Sequence, residues 1–140
     1  KYGGSEPRIR VPLPITVSFF DAALHNALVG CIQETWAAVL EEYQSQNTRL
    51  HKRTHHRIAR DEGSHAQLAW DIHDFFMSKL TDEERSIIIE QMEARIFSND
   101  IEVVDSFPRS KELGIPSVDM QHQLCHEFSK LMRQRIRQSA

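Results

Sequence analysis

Glu62 and His65 form a Glu-x-x-His pair in the run Arg60-Asp61-Glu62-Gly63-Ser64-His65-Ala66-Gln67-Leu68-Ala69-Trp70, inside a long stretch that otherwise reads as helix. At that spacing a carboxylate and an imidazole leave one helix face a turn apart. Ile58, Ala69, Ile72 and Phe76 share the stripe, so the face is expected to be buried. An unpaired buried carboxylate costs several kcal/mol or takes up a proton. A bound metal ion is one of the few partners that satisfies both groups. Glu34 is the second unusual residue, on a stripe with Ala27, Cys31 and Ala38 of the preceding helix. Glu34 and Glu62 are almost equally far from a turn near Asn47. In an antiparallel hairpin they therefore stand within about one turn, ~5.4 Å, of the same height. Glu34, Glu62 and His65 are expected to converge.

Carboxylate-bridged di-iron and di-manganese bundles take one Glu from each of two helices and a Glu-x-x-His from each of two others. This chain offers half of that set. Oxygen and nitrogen donors without a thiolate suit iron, and after it manganese. The competing reading is a buried Glu–His ion pair in a bundle that holds no metal.

The elements that must position these residues follow from the apolar spacing. Residues 1–16 hold three of the five prolines and read as an extended arm. A first helix is expected from Val17 to Gln46, with Phe20, Leu24, Ala27, Cys31, Glu34 and Ala38 on one stripe and Leu28, Ile32, Thr35, Val39 and Tyr43 beside it. A short polar turn at Ser45–Thr48 makes the next helix an antiparallel neighbour. That helix is expected from Thr48 to Leu80, with His51, His55, Ile58, Glu62, His65, Ala69, Ile72 and Phe76 inward; Gly63 lies within it at a cost of about 1 kcal/mol relative to Ala. Thr81-Asp82-Glu83-Glu84 is a capping box for a third helix carrying Ile87, Ile88, Ile89, Met92 and Ile96 and stopping near Asn99. Residues 100–116 read as a loop, with Ile101–Val104 the one short β-like stretch. Ser117 caps a fourth helix to Arg137, with Leu124, Phe128, Leu131, Met132 and Ile136 inside.

The 140 residues suit one domain: a helical unit over 17–140, with the hairpin in 17–80 and further helices in 81–140. The net charge of −3 gives no general argument for nucleic acid or an anionic membrane. No apolar run approaches the roughly 18 residues of a membrane span, and no signal-peptide pattern stands out. The chain begins at Lys1, so an origin within a longer precursor is an expectation. Cys31 and Cys125 fall on apolar stripes and are expected to be reduced and buried. They do not define the compartment, for which the cytoplasm is only slightly favoured.

Gly30-Cys31-Ile32-Gln33-Glu34-Thr35-Trp36-Ala37-Ala38, followed by Arg57-Ile58-Ala59-Arg60-Asp61-Glu62-Gly63-Ser64-His65-Ala66-Gln67-Leu68-Ala69-Trp70, resembles the C-terminal half of the ferritin-like, rubrerythrin-related bundles. The resemblance covers roughly residues 24–80, and Leu113-Gly114-Ile115-Pro116 resembles the group more loosely. It implies an all-α, ferritin-like helical bundle. It makes Glu34 the third-helix ligand, Glu62 a bridging ligand and His65 a ligand to one metal of a non-haem di-iron or di-manganese site. Such a site acts in metal oxidation, oxygen or peroxide chemistry. The family's first two helices have no counterpart here: neither Glu90, Glu93 nor Glu127 opens a Glu-x-x-His. Completion is expected from a second copy, giving four Glu and two His, or from a chain supplying the missing half. A metal-free helical subunit that dimerises through the same hairpin is the alternative function.

Other residues were weighed against plainer roles. His55 shares the Glu62 stripe and is a candidate supporting donor or added ligand, against a core histidine. Asp61 is a candidate partner for a ligand histidine, against a solvated acid. Trp36 and Trp70 are expected in the core. His122 and His126 have the i, i+4 spacing of a zinc pair, but point away from the apolar face. Arg49, Arg53, Arg57 and Arg60 are a candidate phosphate-binding stripe, against the expected reading of a solvated face pairing with Glu41 and Glu42.

Overall fold

The computed structural model describes residues 17–97 and 109–139. The arm expected over 1–16 and the stretch Ile101–Val104 lie outside the described residues. Four helices, and no strand, are found among the described residues. Helix α1 runs as α-helix over Phe19–His25, widens into a π-helix over Asn26–Glu34, and returns to α-helix over Thr35–Asn47. Helices α2 (Lys52–Met77), α3 (Asp82–Phe97) and α4 (Val118–Gln138) follow.

Local chemistry sets the helix ends. Ser18 accepts from the Asp21 N–H and caps α1. Thr81 and Glu84 close the predicted box: the Thr81 N–H donates to Glu84 Oε2 (2.9 Å), and the Glu84 N–H to Thr81 Oγ1 (3.3 Å). Arg85 crosses back to the Met77 and Leu80 carbonyls, satisfying the end of α2. Ser117 accepts from the Met120 N–H and caps α4. The second helix is shorter than expected, starting at Lys52 and ending at Met77. Thr48–His51 make the turn instead, with His51 in the left-handed region (φ 54°). Gly114 (φ +73°) seats the following loop on that turn, where a Cβ would meet the Thr48 N at 2.6 Å. Only glycine allows this backbone-to-backbone approach.

Helices α1 and α2 form an antiparallel hairpin, and small residues bring them close. A Cβ built at Gly30 would stand 3.1 Å from the Ala69 Cβ. Asn26 donates to the Ala69 carbonyl (3.0 Å), and Trp70 Nε1 to Thr35 Oγ1 (3.1 Å). On one side of this pair α3 and α4 supply the core. Ile88, Met92 and Ile96 of α3 and Phe128, Met132 and Ile136 of α4 pack with Ala23, Ala27 and Cys31 of α1. Trp36 meets Phe128 edge-on (5.3 Å between centroids), and Arg135 reaches Asp74 (3.1 Å) while stacking over Trp70 (4.9 Å).

The inward face of α2 is turned from the predicted one. Ala59, Ala66, Ala69, Trp70, His73 and Met77 are buried, whereas His51, His65 and Ile72 are exposed. Trp70 fixes this rotation through its bond to Thr35 of α1, with Arg135 of α4 over its ring. Ile87 and Leu131, expected inside, are also exposed: each helix turns a neighbouring stripe to the core. Both cysteines are reduced and buried, as expected. No described helix is long and apolar enough to cross a membrane.

Candidate metal centre

Glu34 closes the π-helical segment of α1, and Glu62 and His65 lie one turn apart on α2. A π segment takes one more residue into each hydrogen-bonded ring than an α-helix, and such insertions recur at functional sites. In this one, the Asn26 N–H is shared between the Ala22 and Ala23 carbonyls, while Thr35 falls back to Ile32. Gly30 lies in the middle and Asn26 braces the segment against α2. The sequence reading gave this stretch as plain helix; Asn26 and Gly30 within it were the available signal.

The three side chains converge. One donor atom from each of Glu34, Glu62 and His65 lies within 4.8 Å of the other two. A first-row ion sits about 2.0–2.2 Å from such oxygens and nitrogens. Donors around it are therefore separated by about 3 Å when adjacent and about 4 Å when opposite. Two carboxylates and a neutral imidazole would balance the charge of one divalent cation.

The site is more open than the sequence implied. Glu34 is half-buried, the Glu62 side chain is 27% exposed and His65 60%. Glu62 and His65 meet at 3.6 Å, too long for a hydrogen bond. Glu62 is therefore not the fully buried carboxylate that its stripe predicts. What distinguishes the triad is its convergence across two helices. Gly63 beside it has nothing within 4 Å of a built Cβ. Further along the same side of α2, Leu68 and Phe75 are both 56% exposed and Ile72 is 37%. The triad thus stands at one end of a partly exposed apolar stripe, whose far end, Phe75, meets Phe19 edge-on.

The other candidates fall elsewhere. His55 is not part of the triad. It faces Glu41 of α1, Nδ1 to Oε2 3.5 Å, two turns nearer the hairpin turn. Both atoms are buried without a hydrogen bond. Glu41 meets His55, and Glu42 accepts from Gln46, so the expected pairing of the arginine stripe with these acids is replaced. Asp61 is exposed, and Trp70 and Trp36 pack in or against the core. His122 and His126 are exposed on α4, as expected, and gather with no third ligand among the described residues. His73, which the apolar spacing does not single out, is 1% exposed with an unpartnered Nδ1. Burial holds its pKa below the ordinary histidine value, against a smaller upward pull from Asp74. Its place three residues after Trp70 was the signal for it.

Comparison with protein-family models, curated proteins and solved structures finds no match to this chain.

Proposed function

We propose that Glu34, Glu62 and His65 bind iron, or after it manganese, as half of a non-haem di-metal centre in a ferritin-like assembly. The convergence of three donors within 4.8 Å, from two helices, is the observation that carries this reading. Three ligands leave a first-row ion short of a full shell. The open side of the triad is where further ligands would enter. A second copy of the chain would bring a second triad, so that four Glu and two His surround two ions. The partly exposed stripe of Leu68, Ile72 and Phe75 beside His65 supports a partner on this face, since contiguous exposed apolar surface marks contact sites.

The metal, when bound, would supply the redox chemistry toward metal ions, oxygen or peroxide. The chain's own residues would do the positioning. Glu34 and Glu62 would neutralise the cation, and His65 would add a nitrogen donor. Gly30 against Ala69 would hold the two helices close enough for all three to reach it.

Elemental analysis of protein made with iron and manganese available tests the proposal. About one Fe or Mn per chain is expected, and Glu62→Ala should abolish it without loss of helix content. The proposal fails if that variant retains the same metal content. The exposed stripe also favours a second reading, a metal-free subunit that dimerises through the hairpin. Under that reading Glu62→Ala leaves association unchanged and no metal is found in either protein.

A further inference from the structure

Helix α4 carries donors on one side at helical spacing: His122, His126, Ser129, Lys130, Arg133 and Arg137. Two adjoining cavities open along it. One, of about 580 Å³, is lined by His126, Ser129, Lys130, Arg133 and Arg137, with Gln134 and Gln138. The other, of about 480 Å³, shares His126, Ser129 and Arg133 and adds His122, Cys125 and Phe97. No carboxylate among the described residues lines either one. The lining is basic although the chain carries a net charge of −3.

Two buried atoms point to what belongs there. Ser129 is 7% exposed, and its Oγ has no partner beyond the weakly interacting Cys125 thiol. Arg133 Nε is likewise buried and unpartnered. Among the described residues Arg133 forms no ion pair, and its guanidinium stands 4.1 Å from the Phe97 ring centroid. The ring holds the fork in place and supplies no counter-charge. Buried polar groups are nearly always satisfied, so orphans of this kind call for a bound group. Ser129 and Arg133 line both cavities, and both are short of an acceptor.

We infer that this surface of α4 binds a tetrahedral oxyanion of the phosphate class, free or as a small phosphomonoester, centred on Ser129 and Arg133. Arginine's planar fork matches two phosphate oxygens, the Ser129 hydroxyl donates to a third, and Lys130 and His126 flank them. The centre lies at mid-helix. The negative end of the α4 dipole, near Gln138, opposes an anion further along, although Arg137 offsets it. Phe97 gives one wall an apolar edge, which suits an ester group. The site stands apart from Glu34, Glu62 and His65 and does not depend on metal there.

Titration calorimetry of the full chain with inorganic phosphate, and in parallel with phenyl phosphate, tests the inference. Saturable binding of at least one is expected. Arg133→Gln and Ser129→Ala should each weaken it about tenfold. Equal affinity for both probes would identify the free anion; preference for phenyl phosphate would identify an ester. Because Arg133 packs on Phe97, the exposed Lys130→Gln serves as the variant that leaves the core intact, and it should weaken binding severalfold. The inference is overturned if neither probe saturates, or if binding survives Ser129→Ala and Lys130→Gln unchanged. It is also overturned if only long polyanions bind, with steep salt dependence, since that describes a diffuse basic surface.

Discussion

Gly30 faces Ala69 across the hairpin so closely that a Cβ on Gly30 would stand 3.1 Å from the alanine methyl and 2.8 Å from Asn26 Oδ1. One turn further along α1 stands Glu34, opposite Glu62 and His65. The spacing of Glu34 from Glu62 and His65 is thus set by a contact that involves none of the three. Gly30→Leu should push the helices apart and destabilise the fold by roughly 1–3 kcal/mol through overpacking. It should also lower metal content, although every ligand is intact. Thermal unfolding and elemental analysis of the same sample check both effects. A variant that binds metal normally would show that the triad tolerates a wider hairpin.

Gly63 presents the opposite case. It lies within α2, exposed, with open space where a Cβ would go. Alanine there should stabilise the chain by about 0.5–1 kcal/mol, because glycine loses more backbone freedom on entering a helix. Urea unfolding would measure the gain. If Gly63→Ala stabilises the fold but impairs association, the position is covered by the partner.

His73 makes stability depend on pH. Burial lowers its folded-state pKa below the unfolded value of about 6.5. The unfolded chain therefore binds the proton first. The stabilisation is complete above about pH 6.5 and is lost as pH falls below it, with a slope of up to about 1.4 kcal/mol per pH unit until the folded form also protonates. His73→Phe should flatten this part of the profile. Denaturant unfolding from pH 7.5 down to 5 on both proteins is the check, those values being roughly one unit or more either side of the histidine range. A wild-type curve that stays flat would mean that the histidine reaches water in the folded state.

Cys31 should be chemically silent in the folded protein. Its thiol is fully buried and donates to the Ala69 carbonyl (3.4 Å). Burial, reinforced by the Asp74 charge and opposed by Arg135, pushes its pKa up to about 12. The thiolate is the reactive form, so alkylation at neutral pH should proceed only as fast as the chain opens. Cys125 is also raised by burial. Mass spectrometry of iodoacetamide-treated protein, with and without denaturant, tests this. Rapid labelling of Cys31 in native buffer would indicate frequent opening between α1 and α2.

Much of this arrangement was legible in the sequence. The capping pairs Thr81–Glu84 and Ser117–Met120 and the short turn after Asn47 announced the helices and the hairpin. Symmetric distances from that turn brought Glu34 level with Glu62 and His65. The rotation of α2 was not legible. Ile58, Ile72 and Phe76 and the set Ala59, Ala66, Trp70, His73 and Met77 are both plausible stripes in one helix, and the contacts of Trp70 with Thr35 and Arg135 select between them. The openness of His65 follows from the same choice. The π segment was hidden for a different reason. Apolar spacing of four, as in Ala23, Ala27 and Cys31, fits α and π windings alike, and only the hydrogen-bond ladder separates them.

The π-helical stretch also means that α1 carries two rotational registers in one rod. Each residue of an α-helix turns the chain by about 100°. A winding change between Asn26 and Glu34 therefore alters which face the Phe19 end presents relative to the Thr35–Asn47 end. Removing one residue from the stretch would favour uniform α winding and swing the two ends against each other by about that angle. Ala23 and Ala27 could then meet α3 only if Glu34 turned away from Glu62. In this helix the length of a nine-residue stretch, as much as the identity of any ligand, decides whether core and donors face their partners at once.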